Sequence, residues 1–115
     1  SFPKYPLPYE LNQNMNRPEI CIGTDTFHTS TSLKNQIGQF FCDYSFNVKF
    51  NDPFKGSIVP EKFHYKDKRV QSVMIEVRRD LYMDEKTGKK NMHFNEIKNI
   101  LHNIIKKIHN YVHVQ

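Results

Sequence analysis

Glu19-Ile20-Cys21-Ile22-Gly23, followed by Thr24-Asp25-Thr26-Phe27-His28-Thr29-Ser30-Thr31-Ser32, is the stretch that decides the fold. The first five residues read as a short buried strand closed by a glycine. The next nine are almost all small, polar or hydroxylated, the composition of a loop that leads from a strand's end into a helix. Leu33, Ile37, Phe40, Phe41 and Tyr44 then recur at helical spacing, which predicts a helix over 32–42 with a Ser or Thr N-cap and some weakening at Gly38. Phe46, Val48 and Phe50 alternate with polar residues and read as a strand with one face buried. A strand, a helix and a second strand in that order give an α/β fold.

The pattern continues outward in both directions. Asn51-Asp52-Pro53-Phe54-Lys55-Gly56 is a turn. Val70 to Val77 is the most apolar strand, without strict alternation at its centre, and is expected to be covered on both faces. Residues 95–112 form an amphipathic helix whose stripe is Ile97, Ile100, Leu101, Ile104, Ile105, Ile108 and Val112. On the N-terminal side, Pro3, Pro6, Pro8 and Pro18 forbid a helix or an interior strand. There Phe2, Tyr5, Leu7, Tyr9 and Leu11 predict a loop with an apolar face packed on something.

Composition narrows the function classes. The chain has 115 residues, net charge +5 and 13% aromatic residues, with pI ≈ 9.2 and mean hydropathy −0.71. Nine Phe and six Tyr argue against disorder. No apolar run approaches the roughly 20 residues of a membrane span, and no signal peptide is read, so a cytoplasmic protein without a membrane partner is expected. The basic residues are scattered among acids, without zinc-knuckle spacing or an aromatic-glycine RNA motif, so no nucleic-acid partner is expected. Cys21 and Cys42 lack CxxC spacing and read as two buried thiols in a reducing compartment.

Few residues carry chemistry on their own. Glu76 ends an apolar strand just before Arg78 and Arg79, and a buried carboxylate there is costly without a partner. It either lies past the sheet's edge paired with Arg78 or Arg79, or stands at the end of a central strand as a proton acceptor towards a metal-activated water. His28 can serve as ligand, base, substrate contact or organiser of its loop. His102, His109 and His113 fall on one line of the last helix, beside Lys106 and away from the apolar stripe, which reads as a solvated face. No nucleophile elbow, P-loop, dinucleotide fingerprint or HxxE motif is present.

Several segments in series do carry a likeness. They are Ser1-Phe2-Pro3, Pro6-Leu7-Pro8-Tyr9-Glu10, Ile20 through Asp25 with His28-Thr29, Asn51 with Pro53-Phe54 and Gly56, and Glu76 through Arg79 to Leu81-Tyr82-Met83-Asp84-Glu85. Together they resemble the N-formylglutamate amidohydrolases. The resemblance implies a three-layer α/β/α fold with a mixed sheet, similar to the zinc carboxypeptidases. It implies a zinc-dependent hydrolase of formyl-amide or similar C–N bonds in a small acidic N-acyl substrate. Carried over residue by residue, Glu76 is the catalytic general base and acid. Arg79 anchors a substrate carboxylate, and Asn51, Thr24, Asp25 and His28 are pocket walls.

The zinc ligands are expected upstream of Ser1, with none in this chain, so residues 1–115 are expected to form a single domain that is the C-terminal half of a larger catalytic unit. Alone it is expected to be inactive, and to pack against the missing half or a partner chain. Arg78 replaces the usual Asn, and Asp52 a basic or small residue. The alternative is a truncated, non-catalytic interaction module that binds a partner through an exposed apolar edge.

Overall fold

The computed structural model describes residues 1–114. Three strands and two long helices organise them: β1 (Ile20–Thr24), α1 (Thr31–Cys42), β2 (Val48–Phe50), β3 (Val73–Val77), a short 3₁₀ turn (Arg79–Leu81) and α2 (Phe94–Val114). The sheet order is β2-β1-β3. β1 runs parallel to β2, with Ile20 beside Val48 and Ile22 beside Phe50. It runs antiparallel to β3, with Cys21 opposite Glu76 and Thr24 opposite Val73. The α/β reading and the mixed sheet are thus both seen, because a parallel pair needs a crossover and α1 supplies it.

β1 is the buried centre of the sheet. Ile20 and Ile22 are fully enclosed and pack with Leu33, Ile37 and Phe41 of α1 and Ile104 of α2, each burial contributing roughly 1.5–3 kcal/mol. Val73, Ile75 and Val77 of β3 point to the same side. Ser30 caps α1, its extended backbone (φ −68, ψ 148) turning the hydroxyl to accept the Leu33 amide and so satisfying one of the free donors at a helix start. Gly38 does more than weaken that helix. A Cβ there would stand 2.7 Å from the Phe50 ring, so the glycine lets β2 approach α1.

Cys21, Gly23, Met74 and Glu76 lie on the opposite face by strand alternation. No helix covers this face among the described residues. The loop 51–56 and the N-terminal segment do so instead: the Cys21 thiol donates to the Phe54 carbonyl at 3.3 Å, and Phe54 and Phe2 meet edge to face at 5.5 Å. A Cβ on Gly23 would fall 2.2 Å from the Gly56 carbonyl oxygen, so the loop's seat on β1 requires glycine at 23.

Four expectations change. The strand expected from Val70 begins at Val73 and is half-buried throughout, at the edge of the sheet rather than covered on both faces. Residues 70–72 are diverted because Val70 and Ser72 serve the loop around His28. Cys42 is exposed, unlike Cys21, because it lies one position past Phe41 on the outer side of α1. The apolar face of the N-terminal segment is only partly used: Phe2 is buried, whereas Tyr5, Tyr9 and Leu11 are exposed. The α2 stripe is also uneven. Ile97 and Ile104 are buried but Ile105 and Val112 are exposed, and Leu101, Ile105, Phe94 and Tyr82 line an open groove of about 530 Å³ that His102 and Lys98 also border. No described helix is long and apolar enough to cross a membrane.

Candidate active site

The antiparallel register of β1 and β3 divides the residues singled out above into two groups. Glu76 faces Cys21 near the start of β1, whereas Thr24 ends β1 opposite Val73. Three strand residues separate Cys21 from Thr24, about 10 Å. Glu76 and Arg79 therefore gather at one end of β1, and Thr24, Asp25, His28 and Asn51 at the other. Among the described residues the carboxylate stands at the end of the outer strand β3, and the loop 51–56 spans the interval.

At the first end, the Glu76 side chain is a quarter exposed, and its Oε2 lies 2.6 Å from the Ser1 amine nitrogen. That oxygen is sealed from solvent and has no hydrogen-bonding partner of good geometry among the described residues, so the close approach to Ser1 is an ion contact rather than a directed bond. The pairing with Arg78 or Arg79 is not formed. Arg78 instead donates to Asp80 at 2.6 Å and to the Arg17 carbonyl at 2.7 Å, as the chain turns into the 3₁₀ segment at Arg79. Arg79 is held by its backbone, its amide donating to Phe2 O at 2.8 Å. Its half-buried guanidinium makes no hydrogen bond or ion pair among the described residues, which leaves a planar cation available to a carboxylate.

At the second end, Asn51 is an organiser. It sits at φ 55, a region Asn tolerates better than most residues. Its Oδ1 accepts the Thr24 amide at 2.9 Å and its Nδ2 donates to Thr24 Oγ1 at 2.8 Å, which ties the ends of β1 and β2 together. Asp25 Oδ1 accepts the amides of Phe27 and His28, both at 2.8 Å, and the Tyr65 hydroxyl donates to Oδ2 at 3.4 Å. Those donors, the His28 amide foremost, hold the Asp25 carboxyl below its ordinary value.

His28 is completely enclosed. Its Nε2 accepts the Tyr65 amide at 2.9 Å, so its Nδ1 carries the proton and donates to Val70 O at 2.8 Å. With both ring nitrogens used and no surface exposed, His28 cannot line a pocket. It joins the 24–32 loop to the 60–72 loop, the organiser reading rather than the substrate-contact one. Arg17 and Tyr65 are the residues the sequence did not single out. A lone Arg before a proline and a Tyr in a polar stretch carry no local signal, and their partners are up to 61 residues away.

The Asp25 arrangement sets a pH dependence. A carboxyl held below its unfolded value of about 3.9 stabilises the fold above that pH and loses the contribution as pH falls through the depressed folded value. Asp67, held down to about 2 by the Arg69 guanidinium, does the same at lower pH. Asp25→Asn keeps an oxygen for both amides but not the charge. Its urea midpoint is expected to fall less than the wild type's between pH 6 and pH 2.5, and an equal fall would show that Asp25 carries no acid linkage.

Among the described residues, no three His, Cys, Asp or Glu side chains come together as a metal-binding set. The residues present therefore do not by themselves fit the zinc that the resemblance implies.

Comparison with known proteins agrees with this arrangement of strands and loops. The family profile described as N-formylglutamate amidohydrolase matches residues 1–83. Among solved structures, the chain is similar to the N-formylglutamate amidohydrolase from Ralstonia eutropha JMP134, at 27% identity and a TM-score of 0.71 over 84% of this chain. No curated protein matches it. The chain spans 35% of the length of that solved relative. The matched residues run from Ser1 through β1, the Asn51 turn and the Glu76–Arg79 end of β3, and the chain belongs to the N-formylglutamate amidohydrolase family.

Proposed function

We propose that the chain is part of a zinc-dependent hydrolase that cleaves a formyl-amide, or a similar C–N bond, in a small acidic substrate in the cytoplasm. Glu76 takes a proton from the attacking water as its oxygen joins the acyl carbon, and returns a proton to the departing nitrogen as the C–N bond breaks. Arg79 receives the substrate carboxylate in its guanidinium fork. Asn51, Thr24 and Asp25 shape the neighbouring wall through the loop 51–56. The metal ligands come from residues before Ser1, and without them the chain does not turn over.

The observation that carries this reading is the sealed, undirected Oε2 of Glu76 within the family's matched stretch. The Ser1 nitrogen adjoins it, so a residue joined to that nitrogen would stand beside the carboxylate.

The test follows formate release from N-formyl-L-glutamate and N-formyl-L-leucine by a protein that contains residues 1–115 together with the preceding stretch. The acidic substrate is expected to have the higher kcat/KM, and Arg79→Met to remove most of that preference by raising KM, a loss of roughly 1.5–3 kcal/mol for a charged hydrogen bond. No formate from either substrate sinks the reading. One observation favours a second reading, a binding module without turnover: the uncovered apolar groove beside α2. A module of that kind releases no formate in the same assay.

A further inference from the structure

Arg17 is the most deeply enclosed charged side chain of the structure, 2% exposed. One guanidinium nitrogen donates to Pro3 O at 3.1 Å and another to Glu10 Oε1 at 2.6 Å. The group lies against the paired Phe2 and Phe54 rings, 5.9 and 5.8 Å from their centres. Its backbone carbonyl accepts from Arg78, so a single residue grips the N-terminal segment with its side chain and the chain just after β3 with its main chain. Glu10 extends the grip, since its second carboxylate oxygen accepts the Leu7 amide. Residues 2 and 77–79 are in turn laced together: Phe2 donates to Val77 O at 3.2 Å and Arg79 to Phe2 O at 2.8 Å.

Stability alone does not account for an arginine in this place. Its Nε is buried without an acceptor, and a buried ion pair is often no better for stability than well-packed apolar side chains of the same volume. What a planar fork adds is fixed direction. It sets where Pro3, and so Phe2, lie against β3.

We propose that Arg17 is a positioning residue for the Glu76–Arg79 end of β3, holding the Phe2–Glu10 segment against it through Phe2 so that Glu76 Oε2 stays sealed and the Arg79 backbone stays fixed. The proposal rests on the roles given to Glu76 and Arg79 above, but its test needs no turnover.

The test is amide hydrogen exchange and the Glu76 carboxyl-carbon NMR resonance in the full chain, comparing wild type, Arg17→Met, Arg17→Lys and Glu10→Gln. In Arg17→Met, exchange at Arg79 and Glu10 is expected to rise roughly tenfold or more, while Ile22 in β1 and Ile37 in α1 keep their protection, the pattern of a local opening. The Glu76 resonance should shift. Arg17→Lys, which keeps charge without the fork, should restore only part of the protection, and Glu10→Gln should raise exchange at the same sites by less. Equal acceleration at all four amides would mean a purely structural role and overturn the proposal; so would unchanged exchange at Arg79 or an unmoved Glu76 resonance. Should Arg17→Met fail to fold, the Glu10→Gln pattern decides by the same criteria. Turnover surviving in a Glu76→Gln variant would sink the catalytic reading instead, and leaves the exchange pattern to be judged separately.

Discussion

In the longer protein of the proposed reading, Glu76→Gln is expected to lower the kcat for formate release by roughly 10²–10⁴-fold, the usual contribution of a positioned general base or acid, with KM little changed. The amide fits the space of the carboxylate and keeps an oxygen towards Ser1, so the local packing of β3 on Cys21 survives. What it cannot do is accept a proton and give it back. The measurement is a formate assay with enzyme and variant matched for folded content by far-UV circular dichroism. A variant that keeps turnover within about threefold of wild type would remove Glu76 from the catalytic reading, since removing a true proton shuttle costs far more.

His28→Ala should have the largest effect on stability, a loss of about 3–5 kcal/mol. Two costs add. Removing a fully enclosed ring leaves a cavity that the Phe27 and Tyr65 rings, 4.7 and 6.0 Å from it, fill only in part. It also removes the partner of the Val70 carbonyl and of the Tyr65 amide, two hydrogen bonds of about 0.5–1.5 kcal/mol each. His28→Asn carries an amide nitrogen close to the Nδ1 position, so it should keep the Val70 bond, lose the Tyr65 one and fall between wild type and Ala. Urea unfolding followed by tyrosine fluorescence reads both variants. A loss below about 1 kcal/mol for His28→Ala would contradict the enclosed, doubly bonded ring, since surface substitutions stay within about 0.5 kcal/mol.

These two residues show how differently the sequence speaks about site and scaffold. Glu76 was conspicuous because a carboxylate at the end of an apolar strand breaks a local pattern, and a broken pattern is visible in one dimension. His28 was visible only as one histidine in a hydroxyl-rich loop. Its meaning depends on Tyr65 and Val70, which are 37 and 42 residues further on. Arg17 gives no signal at all, because an arginine between Asn16 and Pro18 looks the same whether it faces water or lies against two phenylalanines.

The order of elements, the buried β1, the helix capped at Ser30 and the family to which the chain belongs were all determined by the sequence, because periodicity and short motifs are local and survive in one dimension. Only the tertiary structure decided that β3 is antiparallel to β1 and the outer strand among the described residues. That register places Glu76 at one end of β1 and the Thr24–His28 loop at the other. It also decided that Arg78 turns to Asp80 and the Arg17 carbonyl instead of to the carboxylate, and that the N-terminal segment covers the sheet's second face with Phe2 while leaving Tyr9 and Leu11 outside. The physical reason is common to all of these. Strand direction and loop docking are set by which distant groups satisfy each other's hydrogen bonds and exclude water together, and no stretch of sequence contains both members of such a pair.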